Sequence, residues 1–485
     1  MKFLNEYKVF VQRIGLVGFT NILIALSSII LLPILTKNFT TSDYGIWVQI
    51  NTTISLIPNL AMLGLPMSMV RYLSAKKEKK EIQEGFYSIA SLVFASTIVI
   101  SALLLLFSKN IAVALFNGNV NIAILLAVIV FLACLNALLL NFFRTFQQMK
   151  RYSVFLLIQT YLGVFIVSYF AIKGFSIYTA ALGLLIANLI IFVIMISFII
   201  SDIGLKIPKF KNMMEYLSFG LPTIPSNLSY WIVDSSDRYA IGIILGTSFV
   251  GYYSPGYTLG NIIIMMLAPF SLLLPSLLPN YYDNEEIEKV KTFLKYSLKY
   301  FLLIAIPSAF GLSILSKPIL TILTTPEIAL NGYLITPFVA LSALLFGIYG
   351  IISNIIVLKK KTKILGNVWI FAAVLNVVLN ILLIPYIGII GAAAATLVSY
   401  FIAFIITTVY SFKYFKFDFD LVFIMKSIIA SVLMSLCIFL INPSGILNVL
   451  ITVIIGAVVY MGLLLVLKGI KKEEFEFFKE MLTNS

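Results

Sequence analysis

Long apolar runs separated by short polar clusters recur along the whole chain. A helix needs about 20 apolar residues to cross a bilayer. Runs of that order lie at 14–35, 45–70, 86–107, 120–143, 153–172 and 176–200. After a polar stretch they resume at 217–246, 250–277, 296–316, 330–357, 364–384, 387–411, 422–441 and 446–467. The runs are continuous and do not alternate, which predicts helices and not a membrane barrel. The pattern predicts an all-α integral membrane protein of about 14 transmembrane helices.

Composition strengthens this reading. The chain is 61% hydrophobic and only 11% charged, where a soluble domain carries about a quarter charged residues. So few charges cannot cover so much apolar surface in water, but lipid accepts it.

The net charge of +14 invites a nucleic-acid reading, which the placement of the cations removes. They cluster at every second loop, and such clusters mark the cytoplasmic face of a multi-pass protein. With both termini on that face, 29 of the 34 Lys and Arg residues lie there, among them Lys76–Lys80, Lys359–Lys363 and Lys206–Lys211. The opposite face holds only Lys37, Lys109, Lys173 and Lys317, and Arg238 lies inside a run. A missed or invented span would scramble this alternation. The expected partners are therefore membrane lipids, some of them anionic, and not nucleic acid.

Absences narrow the chemistry. There is no histidine, so a His-based zinc site, proton relay or catalytic triad has no residue to build on. Cys134 and Cys437 fall inside apolar runs and read as small core residues, not as a disulfide. No G-x-x-x-x-G-K-[ST] loop is present for ATP hydrolysis, and no acid or base cluster suggests an enzyme or a bound cofactor. The first run is too long for a cleavable signal and reads as a true span.

The polar break at 201–216 divides spans 1–6 (1–200) from spans 7–12 (217–411), with spans 13–14 and a tail at 412–485. Internal similarity supports the division. Thr41-Ser42-Asp43-Tyr44-Gly45-Ile46-Trp47 and Thr247-Ser248-Phe249-Val250-Gly251-Tyr252-Tyr253 stand 206 positions apart, each between the first two spans of its half. Gly174…Ala180-Ala181 and Gly388…Ala394-Ala395 stand 214 apart, at spans six and twelve. Parallel repeats of this kind mark transporters with a substrate path at the repeat interface.

Three charges fall well inside a run, all in span seven: Asp234, Asp237 and Arg238. Charge at the bilayer centre costs about 2.5–3.5 kcal/mol per residue on insertion scales. Asp234 and Arg238 are i,i+4 and share a helix face; Asp237 is about 60° from Asp234, so all three reach one side. The readings are a self-neutralising Asp234–Arg238 staple or contact with substrate or a coupling ion, and the two are compatible. Gly220, Pro222 and Pro225 break the first half of the same span, as a hinge or pore lining or as a packing kink. Arg71 and Arg144 close spans two and four as topology charges, or attract a diphosphate through the guanidinium fork. The tail Lys471–Leu482 spaces Phe475, Phe478 and Leu482 for one face of an interfacial helix.

Together these residues resemble a known family. The carriers are Pro222-Thr223-Ile224-Pro225…Trp231…Asp234-Ser235-Ser236-Asp237-Arg238-Tyr239, Val250-Gly251-Tyr252-Tyr253-Ser254 with Tyr257, and Asn376…Asn380…Pro385…Gly388…Gly391-Ala392-Ala393-Ala394-Ala395-Thr396. They are similar to the polysaccharide flippase branch of the multidrug/oligosaccharidyl-lipid/polysaccharide exporter superfamily. The Ile34-Leu35-Thr36…Tyr44-Gly45 opening and the Arg144…Lys150-Arg151-Tyr152 corner are similar to it too.

The resemblance implies a V-shaped pair of six-helix lobes with two extra C-terminal helices. It implies a cell-membrane flippase that moves a lipid-linked glycan from the cytoplasmic to the outer leaflet by alternating access. Asp237 and Arg238 would line a central cavity. A monomer is expected, working beside polysaccharide-assembly proteins; a coupling cation, Na+ or H+, is left open. Lipid II flippases carry several arginines in their first two spans, and the interior of span one here has none, which argues against a peptidoglycan precursor. The alternative within the superfamily is a cation-coupled drug or metabolite antiporter. A scaffold is disfavoured by the broken, charged span seven, and a selective pore by the lack of a ring of like charges.

The cation asymmetry predicts that both termini face the cytoplasm. A C-terminal reporter active only in the cytoplasm is the expected result; one active only outside the cell would overturn the topology.

Overall fold

The structure, a computed structural model, describes the backbone of residues 2–469 and the side chains of 15–469. The amphipathic tail at 471–482 lies outside them. All regular structure among the described residues is helical.

Two compact units emerge: Met1–Ser254 with Trp369–Ala392, and Pro255–Val368 with Ala393–Ser485. In chain order the first ten helices are α1 (Lys2–Asn38), α2 (Thr41–Ala61), α3 (Leu65–Leu73), α4 (Lys79–Leu106), α5 (Ser108–Leu115), α6 (Val120–Thr145), α7 (Met149–Ile172), α8 (Ile177–Ile203), α9 (Met213–Gly220) and α10 (Ile224–Ile244). The rest are α11 (Thr247–Asn261), α12 (Ala268–Asp283), α13 (Ile287–Leu323), α14 (Pro326–Gly332), α15 (Ile335–Ile352), α16 (Asn354–Leu358), α17 (Thr362–Ile387), α18 (Ile389–Phe412), α19 (Leu421–Ile441) and α20 (Ile446–Val466).

Among the described residues, twelve candidate spans are long and apolar enough to cross a membrane, and thirteen when α2 and α3, bent by 53°, form one broken span. The remaining segment of the fourteen expected is α10. It is helical and 21 residues long, about 31 Å at 1.5 Å per residue, but Asp234, Asp237 and Arg238 make it more polar than the others.

In the first unit α6 is the central helix, with 78% of its apolar window buried. Its Leu138, Leu139, Phe142 and Phe143 join Phe86, Ile89 and Val93 of α4 and Ile191, Met195 and Ile199 of α8 in one core. The i,i+3/i+4 spacing of each set puts it on one helix face. The 201–216 stretch is strapped along α4. Tyr87 donates to the Gly204 carbonyl at 2.6 Å, Ser88 Oγ accepts from Phe210 N at 3.2 Å, and Lys206 and Lys209 reach Glu84 at 2.8 and 3.2 Å. The glycines that open α8 and α18, Gly174 and Gly388, have φ of +75° and +62°, a left-handed turn that glycine adopts without strain.

The second unit is built on α13, 37 residues long, about 55 Å against a hydrocarbon core of about 30 Å. Its lysine-bearing N-terminal third therefore extends past the apolar layer. Leu294, Leu298, Phe301 and Leu302 of α13 pack with Phe423, Met434 and Ile438 of α19 and Tyr460 and Leu464 of α20. Lys299, only 4% exposed, pairs with Asp420 at 3.3 Å and lies 4.9 Å from the centroid of the Phe423 ring. Asp420 also caps α19, accepting from Phe423 N at 3.0 Å.

This double duty yields a stability test. Asp420→Ala removes both cap and counter-charge and should cost at least about 3 kcal/mol, the low end for breaking a buried pair. Asp420→Asn keeps a capping oxygen, so it should recover about 1 kcal/mol of that loss. Thermal unfolding of the purified protein in detergent reads both; equal midpoints for the two variants would show that the cap contributes nothing.

Candidate functional site

The charged residues sit on α10, and the start of α10 explains how they are presented. Span seven is in three pieces: α9 ends at Gly220, a 3-10 turn covers Leu221–Thr223, and α10 begins at Ile224. Pro222 and Pro225 fall at the first positions of their segments, where a missing N–H is least costly. The predicted interruption is present, and it meets a second one. Gly64, at φ +68° in the break between α2 and α3, lies backbone to backbone with Gly220; a Cβ on Gly220 would come within 2.8 Å of the Gly64 carbonyl carbon. The signal for this second break was the tripeptide Gly64-Leu65-Pro66, identical to Gly220-Leu221-Pro222, and the sequence reading missed it.

From these breaks the broken span α2–α3 and span seven run antiparallel along a polar seam. Ser68 Oγ donates to the Tyr216 carbonyl at 2.6 Å, and Trp231 Nε1 to Ser55 Oγ at 2.9 Å. The Thr53 and Tyr239 hydroxyls are 2.6 Å apart, and Gln49 Nε2 donates to the Arg238 carbonyl at 2.7 Å. Gly242 makes room for Gln49, since a Cβ there would collide with the amide. At the far end Gly45 touches the Thr247 carbonyl.

Midway along the seam lies the charged cluster. Asp237 is fully buried, and Arg238 pairs with its Oδ1 at 2.9 Å while keeping 13% of its own side chain exposed. Asp237 Oδ1 also accepts from Arg238 N at 2.8 Å, and Tyr253 OH donates to Oδ2. Towards Asp234 the guanidinium donates to the main-chain carbonyl, at 2.6 Å, so the i,i+4 relation includes a backbone bond beside the carboxylate pair with Asp237. Asp234 is half-buried and accepts from Ser235 Oγ at 2.9 Å. Chemically this is a cation held by a buried counter-ion with part of its donor fork still reachable, suited to bind and release an anion and not to make or break bonds.

Arg71 and Arg144 stand exposed in the last turns of α3 and α6, where a cation meets the negative end of the helix dipole. On α17, Asn380 Nδ2 donates to Asn376 Oδ1 at 2.9 Å and Ser236 Oγ of α10 does so at 3.4 Å. That leaves Asn376 Nδ2 and Asn380 Oδ1 buried without a partner. Gln49 and Tyr253, which hold the cluster from other helices, were invisible to helix spacing because they approach from across the fold.

Comparison with known proteins agrees with this architecture. The sequence model of the family described as "Polysaccharide biosynthesis protein" matches residues 10–278, and that of the MatE family residues 222–382. The chain is 22% identical over 277 residues to the probable low-salt glycan biosynthesis flippase Agl15 of Haloferax volcanii, covering 56% of this chain and 58% of that one. It is 28% identical over 168 residues to the probable flippase AglR of the same organism, covering 34% of each. The aligned part thus spans little more than half the length of these relatives, or less.

Among solved structures, lipid II flippase MurJ in an inward closed conformation aligns with a TM-score of 0.76 at 19% identity, over 97% of this chain and 100% of that one. An inward-facing multidrug resistance MATE family transporter aligns with a TM-score of 0.68 at 14% identity, over 80% and 94%. These likenesses show a shared transporter fold. With a family match across more than half of its length, the chain belongs to the polysaccharide biosynthesis protein family, the polysaccharide flippase branch of the multidrug/oligosaccharidyl-lipid/polysaccharide exporter superfamily.

Proposed function

We propose that the protein is a flippase that moves a lipid-linked oligosaccharide or polysaccharide repeat unit from the cytoplasmic to the outer leaflet by alternating access. The observation that carries this reading is Arg238: a guanidinium inside a span, held by buried Asp237 and still partly reachable. Its fork matches the oxygens of a phosphate that joins glycan to lipid. Support for the lipid half comes from an apolar cavity of about 410 Å³ in the second unit, lined by Pro307, Gly311, Met434, Gly456 and Tyr460. The MatE match favours one rival, a cation-coupled drug or metabolite antiporter. A cationic drug, however, meets Arg238 as a like charge.

Substitution of Arg238 tests the reading. A lost charge-assisted contact of about 1.5–3 kcal/mol corresponds to a tenfold to hundredfold fall, which is expected for glycan export by Arg238→Ala, normalised to folded protein in the membrane. Arg238→Lys should retain part of it, keeping the charge and losing the bidentate fork. A purely structural pair behaves differently: single neutralisation lowers protein abundance, and the double variant Asp237→Asn with Arg238→Gln restores it. Full normalised export by that double variant would rule out substrate binding by this arginine.

A further inference from the structure

The two Thr-Ser-x-x-Gly turns that repeat in the sequence are also packed on each other. Gly45 lies against the Thr247 carbonyl and Gly251 against the Thr41 carbonyl, each so closely that a Cβ would collide with the opposing backbone. The relation is reciprocal: position one of each turn covers position five of the other. Such self-complementary contact is what a two-fold relation between repeats produces.

The side chains add a polar clasp. Ser42 Oγ is 2.8 Å from Thr247 Oγ1. Asn117, from a third turn between α5 and α6, donates to Ser42 Oγ at 2.8 Å and to Thr247 Oγ1 at 2.9 Å. Its backbone stands at φ +51°, a left-handed position that asparagine tolerates better than most residues. All three turns lie on the cation-poor side of the chain, between spans one and two, three and four, and seven and eight.

The chemistry of the clasp differs from that of the seam beneath it. Carbonyls, hydroxyls and one amide exchange their partners for water when they separate, at a net cost of only about 0.5–1.5 kcal/mol per hydrogen bond. An apolar seal would lose its burial, and the Asp237–Arg238 pair would leave a charge stranded. Glycine at both contact points lets the backbones touch without interlocking side chains that would have to repack.

We propose that this reciprocal clasp is the outer gate of the transport path, with Asn117 as its catch. The proposal rests on the transporter reading above. The seam opens at this end by parting Gly45 from Thr247 and Gly251 from Thr41.

Two measurements test it, both in a background with Cys134→Ala and Cys437→Ala. The first places Thr53→Cys, a buried position below the clasp, in intact cells and follows labelling by a membrane-impermeant maleimide. Adding Asn117→Ala removes the three hydrogen bonds that its amide makes with Ser42 and Thr247 and should speed labelling about tenfold by raising the open fraction. An unchanged rate would overturn the proposal. The second pairs Ser42→Cys with Thr247→Cys. Oxidation should cross-link them and stop glycan export, and reduction should restore it; full export by the cross-linked protein would overturn the gate. If the parent carrying only Cys134→Ala and Cys437→Ala exports no glycan while Asn117→Ala still speeds labelling, the gate stands and the flippase reading falls.

Discussion

A guanidinium cannot rest among apolar helices without a counter-charge, and much of the first unit follows from meeting that need for Arg238. Desolvating a charge costs several kcal/mol even after relaxation. Asp237 therefore sits fully buried beside it, and Asp237 in turn is held by Tyr253 of the next helix. Three charges on one helix also explain why α10 alone among the expected spans is too polar to read as an ordinary membrane crossing. Its place depends on the antiparallel partner α2, which supplies Gln49, Thr53 and Ser55 as hydrogen-bonding groups.

The second constraint is backbone satisfaction. A helix interrupted within an apolar layer leaves carbonyls that water cannot reach. Both interrupted spans resolve this against each other. Ser68 answers the Tyr216 carbonyl, and Gly64 and Gly220 allow the two breaks to approach within contact of their main chains. A glycine pair thus stands at each end of the seam, with the polar and charged groups between them.

The helical class and most span positions were legible because they rest on a one-dimensional quantity, apolar run length, reinforced by the alternation of lysine clusters. The Thr-Ser-x-x-Gly repeat was legible as a pattern, but its reciprocal docking was not, since two similar turns need not touch. Helix spacing put Asp234, Asp237 and Arg238 on one side of the helix; that Asp237 pairs with Arg238 and is held by a tyrosine from another helix follows from burial, which spacing does not rank. Gly64-Leu65-Pro66 was overlooked because a single proline near the end of a long apolar run leaves the hydropathy almost unchanged. The polar 201–216 stretch read as a plain boundary, and its strapping to Glu84, Tyr87 and Ser88 depended on residues more than a hundred positions away.

The pairing of Lys299 with Asp420 has a consequence for how the chain is made. Span nine is synthesised long before the loop that carries Asp420, so its lysine waits for a counter-ion that emerges some 120 residues later. Until α19 arrives, that side chain is stable only near headgroups or water, which holds this end of α13 at the membrane border. The last two helices are then not a detachable appendage but the element that lets α13 settle. In a related chain of twelve spans the same position would have no carboxylate to receive a lysine, and an apolar residue would be the physical choice there.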